Sequence, residues 1–339
     1  MLKKISRRTV LKAGAALGVA GAMGVPMLGS RSALAAEAKV SFQLSWIKSI
    51  QYGGYFAGIE NGIFKKHGID PTFVSGGPNI DPVGNVASGS SQLGDRPIGP
   101  LLVAKEKGIP IKVIGTVFQK SPFSIMSLAE KPIKSIAELK GKTVMVATSG
   151  MPLMRNLIAD SGLKPEEVNM VPSSPDPSAL VSGQIDAYCG YLTNQGVILE
   201  TRGVKLYALN AQELGLPETT GTLYGREDYL KDNKDTVVKF LKAASESWGW
   251  ALAHPDETAK LMVEKYGAPG LDYKAQLTEI KASTPYIDVG AGKTKGLLAL
   301  DLPLFDKIIE VYRKAGMVKS NIKAADICDP SFIDAALKA

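Results

Sequence analysis

The chain has 339 residues, 22% of them charged and 7% aromatic, with a formal net charge of +7, two cysteines and two histidines. That positive balance sits at the N-terminus: residues 1–35 hold Lys3, Lys4, Arg7, Arg8, Lys12 and Arg31 and no acid, which leaves the remainder at +1. A near-neutral remainder without an arginine-rich helix argues against nucleic-acid binding, and Cys189 and Cys328, outside any CxxC or Cys/His cluster, argue against a disulfide scaffold or a zinc site.

The N-terminal segment reads as an export signal. Ser6-Arg7-Arg8-Thr9-Val10-Leu11-Lys12 places a twin arginine ahead of a weakly apolar, glycine-rich run, and Ala33-Leu34-Ala35 supplies small residues for cleavage after Ala35. The uncharged stretch 13–30 is 18 residues long, short of the roughly 20 that a membrane span needs. No cysteine stands at the cleavage site, so the expected product is free in the periplasm, with about 304 residues, enough for two domains.

The remainder alternates strand-like and helical stretches. Alternation of apolar and polar residues predicts a strand over 40–46; Tyr55, Phe56, Ile59, Ile63 and Phe64 then fall at helical spacing, with Gly62 and Gly68 as stops. A strand over 69–74, a helix over 81–87, a strand over 91–94, a helix over 98–107 and a strand over 111–118 follow. A second set runs as strand 124–128, helix 136–141, strand 143–148, helix 152–161, strand 168–172, helix 178–182, strand 186–191, helix 195–201 and strand 205–209. Beyond Tyr229 the pattern is helical, over 237–253, 255–266, 273–283 and 304–315. Such alternation predicts α/β domains with mostly parallel sheets. The chain is expected to leave lobe I near Gln119 and return near Ala211, so that 36–119 with 211–339 form lobe I and 120–210 form lobe II. Two crossings make a two-stranded hinge, and the facing strand ends make a central ligand cleft.

Several segments carry a family resemblance: Phe42-Gln43-Leu44-Ser45-Trp46, Gly58-Ile59-Glu60-Asn61-Gly62-Ile63-Phe64-Lys65-Lys66-His67-Gly68-Ile69, Gly115-Thr116-Val117, Leu139-Lys140-Gly141-Lys142-Thr143-Val144 and Gly183-Gln184-Ile185-Asp186-Ala187. Over most of the expected mature chain, roughly 40–315, the sequence resembles the solute-binding proteins related to thiamine-pyrimidine synthase, a group that includes binders of sulfonates, taurine and riboflavin. The resemblance implies a type II periplasmic-binding-protein fold and a role as the periplasmic substrate-binding component of an ABC importer. The implied ligand is a thiamine-pyrimidine precursor, with a sulfonate or riboflavin as the alternative. It implies a monomer that partners an inner-membrane permease and uses no cofactor or metal. The synthases of the group pair an active-site histidine with a cysteine-rich run. Those positions match Pro100 and Glu218-Thr219-Thr220-Gly221-Thr222 here, and this departure from the synthase pattern argues for a binder and not an enzyme.

A flat heterocycle needs aromatic faces and a few fixed polar groups. Trp46 at the first strand's end is a candidate face, or else a core aromatic. Gln51 and Tyr52 lie in the following turn. Gly77 and Pro78 follow the second strand, where backbone N–H groups can approach a ligand or simply make a turn. Asp95 follows the third strand, where it accepts from a ligand N–H or pairs with Arg96. Ser149 and Gly150 open a helix in lobe II without a Walker sequence. Alternation sends Tyr188 and Tyr191 to opposite faces and favours Tyr191 for the cleft, with Asn194 as an amide reader or a helix cap. Phe118 and Tyr224, near the hinge, wall the pocket or pack the core. Trp248 and Trp250 read as helix packing, and His67 and His254 as surface residues.

Overall fold

A computed structural model describes residues 37–338. The twin-arginine segment and the cleavage position after Ala35 lie outside the described residues. In chain order the first strands and helices are β1 (Ala38–Gln43), α1 (Gly53–Glu60), α2 (Ile63–Lys66), β2 (Ile69–Val74), α3 (Pro82–Ala87), β3 (Leu93–Arg96), α4 (Ile98–Glu106) and β4 (Ile111–Phe118). A second set follows: β5 (Phe123–Leu128), β6 (Thr143–Val146), α5 (Met151–Asp160), β7 (Asn169–Pro172), α6 (Ser178–Val181), β8 (Ala187–Tyr191), α7 (Val197–Thr201) and β9 (Leu206–Asn210). The chain returns through β10 (Thr220–Arg226) into α8 (Glu227–Asp232), α9 (Lys234–Ala253), α10 (Pro255–Leu261), α11 (Tyr273–Ile287), α12 (Gly290–Thr294), α13 (Leu302–Lys314), α14 (Ala324–Ile327) and α15 (Ser331–Lys338).

These strands make two five-stranded sheets, ordered β2-β1-β3-β10-β4 and β7-β6-β8-β5-β9. In each, four of the five strands run the same way, as the alternation predicts, and a single strand opposes them. β10 runs antiparallel to β3 and β4, and β5 antiparallel to β8 and β9. The reason is the double crossing. β4 leaves the first sheet at its cleft-facing end, so the strand that comes back must start at that end and run the other way. The same holds for β5 entering the second sheet and β9 leaving it. The two sheets therefore share one plan, with the crossing strands on one side of each.

Local chemistry explains the elements. In β2, Ile69 and Phe73 are buried while their neighbours face outward, and Pro71 is tolerated because β2 is an edge strand. β4 is the other edge, yet it is buried almost throughout. Its free side is covered by the returning chain: Thr116 N–H donates to Leu298 O, Gln119 N–H to Tyr286 O, and Asp329 N–H to Val113 O. Gly62 and Gly68 adopt φ of 66° and 70°, the left-handed turns that end the first helical stretch. α9 lies so close to α1 that Trp248 rests directly on Gly54, where a Cβ would fall 2.3 Å from the indole.

Other departures are local. β1 ends at Gln43, so Trp46 lies three residues past the strand and not at its last position. β10, α8, α12, α14 and α15 have no counterpart in the sequence reading. Cys189, in β8, and Cys328, beside β4, are both buried free thiols. No helix among the described residues is long and apolar enough to cross a membrane.

Candidate functional site

The cleft-facing ends of β1 and β3 are tied together by one buried acid. Asp95 is 1% exposed; its Oδ1 accepts from Ser45 N–H at 2.9 Å and its Oδ2 from Ser45 Oγ–H at 2.9 Å. Tyr52 Oη lies 3.0 Å from Ser45 Oγ and accepts from Trp46 N–H at 2.9 Å. Burial pushes Asp95 up to about 7, and the two bonds from Ser45 and the nearby Arg96 charge offset only part of that. Of the two roles open to Asp95, the pair with Arg96 does not form, and Ser45 donates to both carboxylate oxygens instead.

Across the cleft, β8 ends at Tyr191 and runs into a wide turn, Leu192–Gly196, where Gln195 Oε1 accepts from Tyr191 N–H at 2.9 Å. Two side chains of this region reach the first lobe. Tyr191 Oη is 2.5 Å from Thr220 Oγ1 at the start of β10. Asn194 Nδ2–H donates to Glu279 Oε2, on α11, at 2.8 Å, and both groups are buried. Asn194 therefore caps no helix; it bridges lobes. Glu279 is pushed up to about 8 by burial, with the Asn194 bond opposing. A third bond, from Asn156 Nδ2–H in α5 to Ala315 O at 2.8 Å, joins the lobes on another side.

Gln51, Tyr52, Asp95 and Phe118 pack together with Tyr55 and Trp248 around a gap too tight to admit a water molecule. Phe118 meets Trp248 edge-on at 6.5 Å, so Trp248 packs the helix and also backs the site. Beside the hinge lies a cavity of about 460 Å³, walled by Gln119, Ser121, Gln212, Leu216, Glu218 and Leu304 among others. Glu218 is enclosed by the fold yet open to this cavity, and Tyr312 Oη–H donates to its Oε1 at 3.0 Å. Burial raises it to about 7, against the pull of the Tyr312 and Ser121 hydroxyls.

The remaining candidates are more scattered. Trp46 is half-buried and packs against the first lobe's core. Tyr224 is fully buried, with its Oη unpaired. Pro78 is exposed and Gly77 buried, and the glycine in close contact is Gly76, which packs on Leu44 O. Gly150 is half-buried with an ordinary φ of −92°, and the Ser149 side chain lies outside the described residues. Sequence reasoning passed over Ser45, Thr220, Glu218 and Glu279. Only Glu279 left a signal: it shares a helix face with Gln276, Ile280 and Ser283, all buried, where an acid is out of place.

Residues 49–258 match the family model described as NMT1/THI5 like, well over half of the chain. The chain belongs to the NMT1/THI5-like family. Residues 4–24 of this family member match the twin-arginine translocation pathway signal sequence, which marks it for export across the cytoplasmic membrane. It is 26% identical to the formylaminopyrimidine-binding protein of Halalkalibacterium halodurans, over 66% of this chain and 69% of that one. It is 23% identical to the riboflavin-binding protein RibY of Chloroflexus aurantiacus, over 87% and 86%. It is 25% identical to the 4-amino-5-hydroxymethyl-2-methylpyrimidine phosphate synthase THI5 of Saccharomyces cerevisiae, over 70% and 72%. Among solved structures it superposes on the alkanesulfonate-binding protein SsuA of Xanthomonas axonopodis pv. citri bound to MOPS with a TM-score of 0.66. That match has 16% identity and covers 87% of this chain and 99% of that one. The NMT1/THI5-like chain thus has the two-lobed periplasmic-binding-protein fold, with paired mixed sheets and a two-stranded hinge.

Proposed function

We propose that this protein is the periplasmic substrate-binding component of an ABC importer, and that its cargo is a small N-heterocycle of the thiamine-pyrimidine kind. In this reading, lobe I is 36–119 with 211–339, lobe II is 120–210, and the mature product, cleaved after Ala35, acts as a monomer that delivers its ligand to a permease. The observation that carries it is the pair of side-chain bonds closing the lobes at the strand ends, Asn194 to Glu279 and Tyr191 to Thr220. Such bonds form when the hinge shuts and break when it opens, which is what a capture device requires.

The chemistry of the seam supports the choice of cargo. An aminopyrimidine edge presents an amino donor beside a ring-nitrogen acceptor. A carboxyl group that exchanges its proton near neutrality, as Asp95 does, complements both. Tyr52, Tyr191 and Trp46 supply ring faces around it. The formylaminopyrimidine-binding relative points the same way. A sulfonate is the second reading, favoured by the unpaired Arg96 Nε on the same strand. We hold the protein to be a binder and not a synthase. Pro100 stands where the synthase histidine is expected, His67 lies 3.0 Å from Glu246, and His254 stacks on Trp250 at 4.3 Å between centroids.

A thermal-shift series with 4-amino-5-hydroxymethyl-2-methylpyrimidine, its formylamino analogue, riboflavin and taurine tests this. At a hundredfold excess over Kd, a bound pyrimidine raises the melting temperature by about 5 °C or more. A response to riboflavin or taurine alone refutes the assignment of cargo, and pyrimidine phosphate formed from pyridoxal phosphate and histidine refutes the binder reading.

A further inference from the structure

β3 ends in two charged residues that alternation sends to opposite faces of the sheet. Asp95 faces α1 and α9, where Tyr52, Tyr55 and Trp248 surround it. Arg96 faces the other way. On that face Gly94 lies under Tyr224 Oη and Val86, at 3.2 and 3.0 Å from where its Cβ would be. Arg96 pairs in register with Thr222, and Tyr224 stands two residues further along β10, opposite Gly94. The Arg96 and Tyr224 side chains are therefore diagonal neighbours on one face, at the end of the sheet that meets the second lobe.

Both carry a donor with nothing to donate to. Arg96 Nε and Tyr224 Oη are buried without a hydrogen-bond partner, and among the described residues Arg96 makes no ion pair within 4 Å. The nearest acid in sequence, Asp95, is taken by Ser45 on the opposite face. A guanidinium stays charged at any physiological pH, and a buried donor left unpaired is costly.

We infer that Arg96, backed by Tyr224, is an anion-reading corner of the site, and that the preferred ligand carries an anionic oxygen group, a carboxylate, sulfonate or phosphate, beside its ring. This rests on the reading of the seam as a ligand site and deepens it, since an anionic oxygen accepts from both donors and also neutralises the guanidinium, whereas a neutral acceptor leaves the charge uncompensated. It also assigns the two ends of the ligand: the N–H edge to Asp95 and the anionic group to the opposite face of the same strand.

The test is titration calorimetry with matched probes, 4-amino-2-methylpyrimidine-5-carboxylate against 4-amino-5-hydroxymethyl-2-methylpyrimidine, and benzoate and MOPS against benzyl alcohol. Wild type is expected to favour the carboxylate pyrimidine at least tenfold. Arg96→Gln is expected to erase that preference, and Arg96→Lys to retain part of it. A circular-dichroism melt of each variant establishes that it is folded. A preference that survives in Arg96→Gln, or a neutral probe that binds wild type as well as its anionic counterpart, overturns the inference. If no pyrimidine binds but benzoate or MOPS does, and Arg96→Gln abolishes it, the corner stands and the pyrimidine assignment falls. If no anionic probe binds wild type, the inference is wrong.

Discussion

Asn194 Nδ2 and Glu279 Oε2 meet at 2.8 Å, one from the turn after β8 and the other from the middle of α11, and neither is open to water. The bond joins the two lobes at a point where water is excluded, so its loss is not repaired by solvent. A buried acceptor stripped of its donor costs about 1–3 kcal/mol. Asn194→Ala is therefore expected to weaken ligand binding by about tenfold to a hundredfold, by disfavouring the closed arrangement. Calorimetry of the variant against wild type checks this. Unchanged affinity in a folded variant shows the bond to be incidental.

The three enclosed acids give stability a pH signature. Glu279 is raised to about 8, and Asp95 and Glu218 to about 7. Each is raised above its unfolded value, so the folded chain holds more protons between the ordinary carboxyl range and pH 8. Their contribution is complete below about pH 4 and is lost as pH rises through 7 to 8. Melting temperature is expected to fall from pH 5 to pH 9, and Glu279→Gln, which keeps the neutral form, to flatten the slope. Melts across that range read it directly.

Gly76 and Gly77 are expected to differ sharply. A Cβ on Gly76 would sit 2.3 Å from Leu44 O and 2.5 Å from the Ser45 carbonyl carbon, both backbone atoms that cannot turn aside. Gly77 has only Ile80 nearby, at 3.9 Å. Gly76→Ala is expected to cost about 1–3 kcal/mol in urea unfolding, and Gly77→Ala under about 0.5 kcal/mol.

Trp46 is half-buried, tied at its backbone to Tyr52 and Gly76, and its ring packs only in part against the core. Trp46→Ala is expected to abolish ligand binding while lowering the melting temperature by only a few degrees, about 1–2 kcal/mol. Binding at wild-type strength in this variant removes Trp46 from the site.

Much of the fold was legible because periodicity reports burial. β2 and β4 fall at the residues that alternation marks, and α4 and α9 within three residues of theirs. β10 was missed because Thr220-Gly221-Thr222-Leu223-Tyr224-Gly225-Arg226 has the composition of a loop. It becomes a strand only because β3 and β4 leave a slot between them, a tertiary cause with no local trace. The site divides in the same way. Asp95, Tyr52 and Tyr191 were readable as polar and aromatic residues at strand ends. Glu279 is legible only as an acid on a buried helix face; its role comes through Asn194, more than 80 residues earlier in the chain. Nor did the sequence indicate that Ser45 would take Asp95 and leave Arg96 unpaired.

Native mass spectrometry of the protein taken from the periplasm of the cells that make it tests the central claim, that two hinged lobes enclose a small heterocycle without altering it. The prediction is one retained molecule per chain, with the mass of an aminopyrimidine derivative, released on denaturation and absent from Asn194→Ala. A chain that carries nothing in either form, or a retained flavin or aliphatic sulfonate, contradicts it.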